Sequence, residues 1–275
     1  MCYDYRQEVK AMVETANQLG MSALISHPEH HSIEEQLAIF AEAGFDSFFL
    51  SYGVTDEFEK IPYWSNCAQN ISIAFEAVHA PSAMVNSVWT GSKNAALYQD
   101  KLESILDFCS EGQIPKVVVH VGANPNMDPT QRGLDFWKSM ESYAERRGVK
   151  LCYENTNAPK LFEAVIASAD TYHGFCFDVG HQLCYTPEKD YINLYGKQII
   201  YTHIHDNFAD GRDMHLLPKD GINDWNQYFL SLNRIGYTGT LNLELSCYHK
   251  EAYRNMTFKE FVEYSYKRIV ALTKA

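Results

Sequence analysis

Residues Ile199–His215 read IIYTHIHDNFADGRDMH, and the change of character partway along this stretch sets the reading of the whole chain. Ile199, Ile200 and Tyr201 are strand formers. Successive side chains of a strand face opposite ways, so His203 and His205 share one face and Ile204 takes the other. Asp206-Asn207 then breaks the strand, and Asp213-x-His215 follows shortly after. Three imidazoles thus gather with the carboxylates of Asp206 and Asp213 at the carboxyl end of one strand. Neutral imidazole and carboxylate are the ligands that Zn, Mn, Fe or Co select. A polar strand end standing in water would account for this stretch alone; the rest of the chain weighs against it.

Outward from here the same strand-then-helix unit repeats. Upstream, Ser22–Ser26, Asp46–Ser51, Ile73–His79, Lys116–Val121, Lys150–Glu154 and His173–Asp178 read as strands one to six, and downstream Thr240–Glu244 is the eighth. Helical patterns separate them. Ser32 with Glu35 forms a capping box ahead of the stripe Ile33, Leu37 and Phe40. Helices follow at Pro62–Asn70, Asn94–Cys109, Gly133–Arg147, Pro159–Ala167 and Tyr191–Gly196. Asp224 caps a helix carrying Trp225, Phe229 and Leu232, and Thr257 with Glu260 caps the last one. Residues 1–20 predict an extra amino-terminal helix, with Val9, Met12, Val13, Ala16 and Leu19 near helical spacing. Eight short apolar strands, each followed by a helix and with no linker, predict one α/β domain over residues 1–275, a closed (β/α)8 TIM barrel. An open doubly wound sheet would have fewer strands and a Gly-rich phosphate turn, and no GxGxxG or Walker loop occurs.

The composition, 46% hydrophobic and 21% charged over 275 residues, allows a sizeable core. Against 35 acidic side chains stand 23 basic ones, a net charge of −12 that repels phosphate backbones and argues against a nucleic-acid partner. The basic pairs Arg146-Arg147 and Lys267-Arg268 fall on helices as solvated faces. No apolar run reaches the roughly 18 residues of a spanning helix, and the amino terminus lacks the apolar core of a secretory signal. The 7 cysteines, odd in number and without CxxC, read as free thiols of a reducing compartment. These features predict a cytoplasmic protein with no membrane partner.

Active sites of such barrels form at the carboxyl ends of the strands. Strand three ends at His79, four at His120, five at Glu154, and six at Asp178 with His181 just beyond. Strand seven carries His203 and His205, then Asp213 and His215, and strand eight ends at Glu244. Each alone is explained as a hydrogen-bonded core residue. Together they are an acidic cluster with no Lys or Arg on those strand ends, and buried carboxylates need pairing or a metal. A divalent cation is therefore expected.

At this point the sequence resembles the xylose-isomerase-like barrel superfamily, which groups sugar isomerases and epimerases with the metal-dependent apurinic endonucleases. The resemblance runs from about Ser22 to Leu272. It rests on VHAPS (78–82), VVHVG (118–122), YENTN (153–157), FDVGH (177–181), HIHDN (203–207), Asp213-x-His215, the Pro218-to-Trp225 loop and LNLELS (241–246). It implies central metal ligands Glu154, Asp178, a histidine of HIHDN and Glu244. Endonuclease-like registration selects His203 and epimerase-like registration His205; His203 is the expected ligand, with His205 as a substrate contact. The endonuclease branch implies further zinc ligands, matched by His79, His120, His181, Asp213 and His215, which are otherwise substrate-binding positions. Where the family commonly has P-G-E-G, this chain has Pro218-Lys219-Asp220-Gly221, so Lys219 adds a positive charge to the expected pocket.

The activity so implied is a divalent-metal-dependent isomerase or epimerase of a small-molecule carbohydrate, whether a sugar, a sugar phosphate or a related polyol. The ion is Zn, Mn, Co or Mg, with Zn or Mn foremost. It would stabilise an enediolate while Glu154 and Glu244 act as acid and base. Trp89, with Tyr63 and Trp64, is expected to wall the pocket, and Arg212 and Lys219 to receive an anionic substrate group. One alternative is a multi-zinc phosphodiesterase resembling the apurinic endonucleases, which the net charge disfavours. The other is a non-catalytic sugar-binding barrel, which would have no need of two glutamates on a metal.

Overall fold

The computed structural model describes residues 17–23, 27–51 and 56–274. In it β1 (Leu19–Ser22), β2 (Ser47–Leu50), β3 (Ala74–His79), β4 (Lys116–His120), β5 (Lys150–Glu154), β6 (Gly174–Asp178), β7 (Ile199–Ile204) and β8 (Leu241–Leu243) pair in sequence order and close into a parallel barrel. The α-helices between and after them are α1 (Ile33–Ala43), α2 (Ile61–Asn70), α3 (Ser87–Thr90), α4 (Asn94–Glu111), α5 (Gln131–Glu145), α6 (Pro159–Ile166), α7 (Val179–Tyr185), α8 (Tyr191–Tyr195), α9 (Trp225–Arg234), α10 (Glu251–Arg254) and α11 (Phe258–Thr273). No described helix is long and apolar enough to cross a membrane.

Local chemistry starts and stops these elements where the sequence says it should. The Glu35 amide donates to Ser32 Oγ at 3.2 Å and the Ser32 amide to Glu35 Oε2 at 2.9 Å, and Gly44 ends α1 at φ 106°. Thr257 and Glu260 repeat the box on α11. Two expectations are corrected at the amino-terminal side. The first strand lies at Leu19–Ser22 and not at Ser22–Ser26, of which residues 24–26 fall outside the described residues. Of the extra helix expected over 1–20, Leu19 and Gly20 belong to β1, and residues 1–16 lie outside the described residues. The cause is close packing at barrel closure: a Cβ on Gly20 would collide with the side chains of Asn242 on β8 and Ser47 on β2.

Among the described residues two apolar cores result. The larger fills the space between the strands and the helices. The smaller lies inside the barrel and consists of Phe49, Ala77, Val118, Cys152, Cys176 and Tyr201. A strand returns to the same face every second residue. Two positions beyond those six stand Ser51, His79, His120, Glu154, Asp178 and His203, and Asn242 is followed likewise by Glu244. The apolar layer is thus the floor of the layer that carries the chemistry. The described cysteines are free thiols, most of them buried, with Cys152 and Cys176 serving that floor as small apolar residues.

Candidate metal centre

Glu154, Asp178, His203 and Glu244 present donor atoms that all lie within 4.8 Å of one another. Glu154 links this group to a second one. Its Oε1 lies 2.6 Å from His203 Nδ1, while its Oε2 lies 2.9 Å from His79 Nε2 and 2.7 Å from His120 Nε2. Glu244 Oε2 is 3.1 Å from His203 Nδ1, and its Oε1 accepts the Ser51 hydroxyl at 2.9 Å. A third group holds His181, His205, Asp213 and His215. There Asp213 Oδ2 is 2.9 Å from His181 Nε2 and 3.0 Å from His215 Nε2. Asp178 Oδ2, 3.0 Å from His205 Nε2, joins this group to the first. The structure therefore seats His203 in the central group and His205 beside the loop.

The donor set fits a cation. Nδ1–H of His79 donates to the Ala80 carbonyl at 2.9 Å, that of His181 to Asn155 O at 2.9 Å, and that of His215 to Glu244 O at 3.0 Å. Each ring is thereby left with Nε2 against a carboxylate oxygen. Two lone pairs at that distance repel unless a proton or a metal ion lies between them, and backbone carbonyls on the far nitrogen are the usual support of a metal-binding imidazole. The charge balance agrees. Burial pushes the Glu154 carboxyl up, but His203 and His120 hold it well below the usual carboxylate range. Burial opposes a proton on His181, yet Asp178 and Asp213 raise it well above the ordinary imidazole value. Against the same burial, Asp213 raises His215 to about 9. Without metal the cluster keeps its balance by protonating imidazoles, and a divalent ion would displace those protons.

Amides that sequence reasoning passed over build the frame. Asn155 donates from Nδ2 to Asp178 O and accepts the Asp178 amide on Oδ1, both at 2.8 Å. Asn207 donates to Asp213 Oδ1 at 3.1 Å and accepts the Met214 amide at 2.6 Å. The signal available for both was adjacency: each is a neutral amide next to a buried carboxylate, Glu154 or Asp206. Short helix α7 was also unforeseen, because its cap is the site residue Asp178, which accepts the His181 amide at 2.6 Å.

These groups surround a cavity of about 190 Å³, lined by His79, His120, His181, Asp213, His215 and Glu244 together with Ser82, Ala123, Thr156, Asn157 and Tyr185. Glu154 lies beneath it, fully buried. The expected aromatic wall is elsewhere. Trp89 is 2% exposed, donates its indole N–H to Val121 O at 2.6 Å, and packs where a Cβ on Gly133 would strike its ring. Tyr63 and Trp64 lie on α2, and Tyr185 is the aromatic at the cavity. Arg212 is exposed and held by Asp210 at 2.9 Å, and Lys219 is also exposed; neither lines the cavity.

Lys219 stands at φ 72°, in the left-handed region that favours glycine. Lys219→Gly is therefore expected to stabilise the protein by about 1 kcal/mol, raising Tm by roughly 2–4 °C. Catalytic rates should stay unchanged. A thermal melt and a rate assay check both, and a tenfold loss of rate would return Lys219 to substrate binding.

The chain matches the xylose isomerase-like TIM barrel family over residues 37–263. An uncharacterized protein of Sinorhizobium fredii is 30% identical over 162 residues, 52% of this chain and 51% of that protein, so the match spans about half of that relative. Among solved structures, IolI protein with a bound zinc atom superposes at TM-score 0.76 and 16% identity, over 94% of this chain and 98% of that one. D-psicose 3-epimerase with D-tagatose, from Clostridium cellulolyticum H10, superposes at TM-score 0.73 and 12% identity, over 94% and 98% of the two chains.

Proposed function

Because the chain belongs to the xylose isomerase-like TIM barrel family, we propose that it is a divalent-metal-dependent isomerase or epimerase acting on a small uncharged polyhydroxylated carbonyl compound. The observation that carries this reading is the cavity itself: imidazoles and carboxylates converge on it, and among its described lining residues there is no Lys or Arg to receive a phosphate or carboxylate. Its volume is below that of pockets for drug-sized ligands, which suits a monosaccharide or a cyclic polyol ketone. Structural neighbours that include sugar epimerases, and one with zinc, support the same class.

A divalent ion held by Glu154, Asp178, His203 and Glu244 would supply Lewis acidity toward a substrate carbonyl. The remaining work falls to the chain. Glu244 is the glutamate that lines the cavity, and we assign it as the base that takes a proton from the carbon beside the carbonyl and returns it to the neighbouring carbon in a 1,2-shift. Glu154, closed off below, holds His79, His120 and His203 in register. His181 and His215 face the cavity as partners for substrate hydroxyls, and Tyr185 gives it an apolar side.

The test is turnover in D2O with a panel of ketoses and cyclic polyol ketones. Deuterium should enter one specific carbon, and its position separates a 1,2-shift from inversion at a single centre. Interconversion without any exchange, even at long incubation, would argue against a solvent-exchanging carboxylate base. A second reading has its own observation: three donor groups joined through Glu154 and Asp178 could hold several zinc ions, as phosphodiester hydrolysis uses. Metal-dependent cutting of an abasic-site duplex, with no sugar converted, would favour it.

A further inference from the structure

We propose that Asp206 is the positioning residue of this centre: its buried carboxylate holds the 207–225 loop so that Asp213 and His215 enter the cavity. Asp206 ends the HIHD run just after β7 and is 0% exposed. Among the described residues it has no salt-bridge partner, and main-chain and indole N–H groups satisfy its charge instead. Its Oδ1 accepts the amides of Asn207 and Asn223, each at 3.0 Å. Its Oδ2 accepts the Lys219 amide at 2.9 Å and the Trp225 indole N–H at 3.0 Å. Four donors fill the four acceptor directions of one carboxylate.

The partners are spread along the loop, so one side chain closes it at four points. The Asp206 backbone adds a fifth tie, an antiparallel bridge in which its amide donates to Leu216 O at 2.7 Å and its carbonyl accepts the Leu216 amide at 3.0 Å. That bridge sets the residue next to His215. The loop is costly to hold, because Ala209, His215 and Lys219 all have left-handed φ values, 57°, 45° and 72°. It also leaves no slack: a Cβ on Gly221 would collide with Asp206 Oδ1 and Asn207 O. Asp206 touches neither the cavity nor any donor atom of the three groups, so its effect on them passes through the loop.

This rests on the metal-centre reading above, and Asp206→Asn with Zn²⁺ as the probe separates the two. An amide cannot accept on both ends, so its NH2 group must face two N–H donors in either orientation. With Zn²⁺ in excess and no substrate present, calorimetry and elemental analysis of the wild type should show one ion at the central group and a second at the loop-side group, whose His181 and His215 are then free of substrate. In Asp206→Asn the loop-side ion should bind about 10–100-fold more weakly, as for other supporting residues, while the central ion and the circular dichroism spectrum stay native. Amide exchange should accelerate in residues 207–223 alone. Unchanged Zn²⁺ affinity at both groups, or equal weakening of both, overturns the proposal. Should Asp206→Asn not fold, Trp225→Phe removes one donor of the four, and the same selective weakening is required of it. If the wild type takes up one Zn²⁺ or none, the exchange data decide: acceleration confined to the loop upholds the role of Asp206, and uniform acceleration ends it; uptake of none also ends the metal reading.

Discussion

Glu154→Gln is expected to cost this protein its metal and its turnover together while leaving the barrel folded. No other described side chain joins two donor groups so tightly, with one oxygen on His203 and the other on His79 and His120. The amide keeps the shape of the carboxylate but removes the charge, and its NH2 end must point at imidazole nitrogens on one side. The loss should reach about 10³-fold in kcat/KM, or roughly 4 kcal/mol. The barrel should stay folded, with Tm lowered by no more than metal loss itself costs, because Glu154 lies one layer above the apolar floor of Cys152 and its neighbours and no cavity is opened. Glu244→Gln, at the cavity wall, should lose turnover with a smaller loss of metal. Elemental analysis, rate assays and circular dichroism on both variants check the ordering. An unfolded Glu154→Gln at saturating metal would make the residue structural first and functional second.

Stripping the metal should produce the other large effect, this time on stability. Four carboxylates and several imidazoles meet with no lysine or arginine among the described residues of the cluster, so a cation that binds only the folded state stabilises it by mass action. An ion at about 1,000 times its Kd contributes about 4 kcal/mol. For a chain of this size that corresponds to a fall in Tm of about 8–15 °C on chelation. Melting curves with chelator, and after adding back Zn²⁺ or Mn²⁺, measure it. A Tm that chelator leaves in place on metal-loaded protein would mean that protons on the histidines balance the site as well as a metal does.

The sequence made the strand ends legible because two signals coincide there. Apolar runs such as KLCYE and GFCFD announce a strand buried on both faces, and a charged residue closing such a run has few structural excuses. Other positions carried no such signal. β1 reads LGMS, a poor strand by propensity, and it is a strand because β2 and β8 pair with it on both sides. Arg212 and Lys219 stand among site residues in the chain, but backbone turns at Ala209, Gly211 and Lys219 send the loop's basic side chains to solvent. Asp206 shows as a strand breaker in the sequence; its partners Asn223 and Trp225 are too distant along the chain to announce the bond. Trp89 illustrates the limit for aromatics, since nothing in its neighbours foretells that its N–H goes to Val121 O.

The carbonyls behind His79, His181 and His215 bear on how this centre can change over generations. Those acceptors are main-chain oxygens of Ala80, Asn155 and Glu244, present whatever side chain the residue bears. A substitution at Ala80 leaves its oxygen in place, whereas a centre braced by an aspartate or an asparagine side chain loses its brace to a single codon change. The acceptors behind these three rings are thus inherited with the fold as long as Asn155 and Asp206 hold its backbone, and mutational drift can rework the pocket walls toward new substrates around them. Directed evolution for altered specificity should find most of its permissive positions on that wall, at Ser82, Ala123, Asn157 and Tyr185.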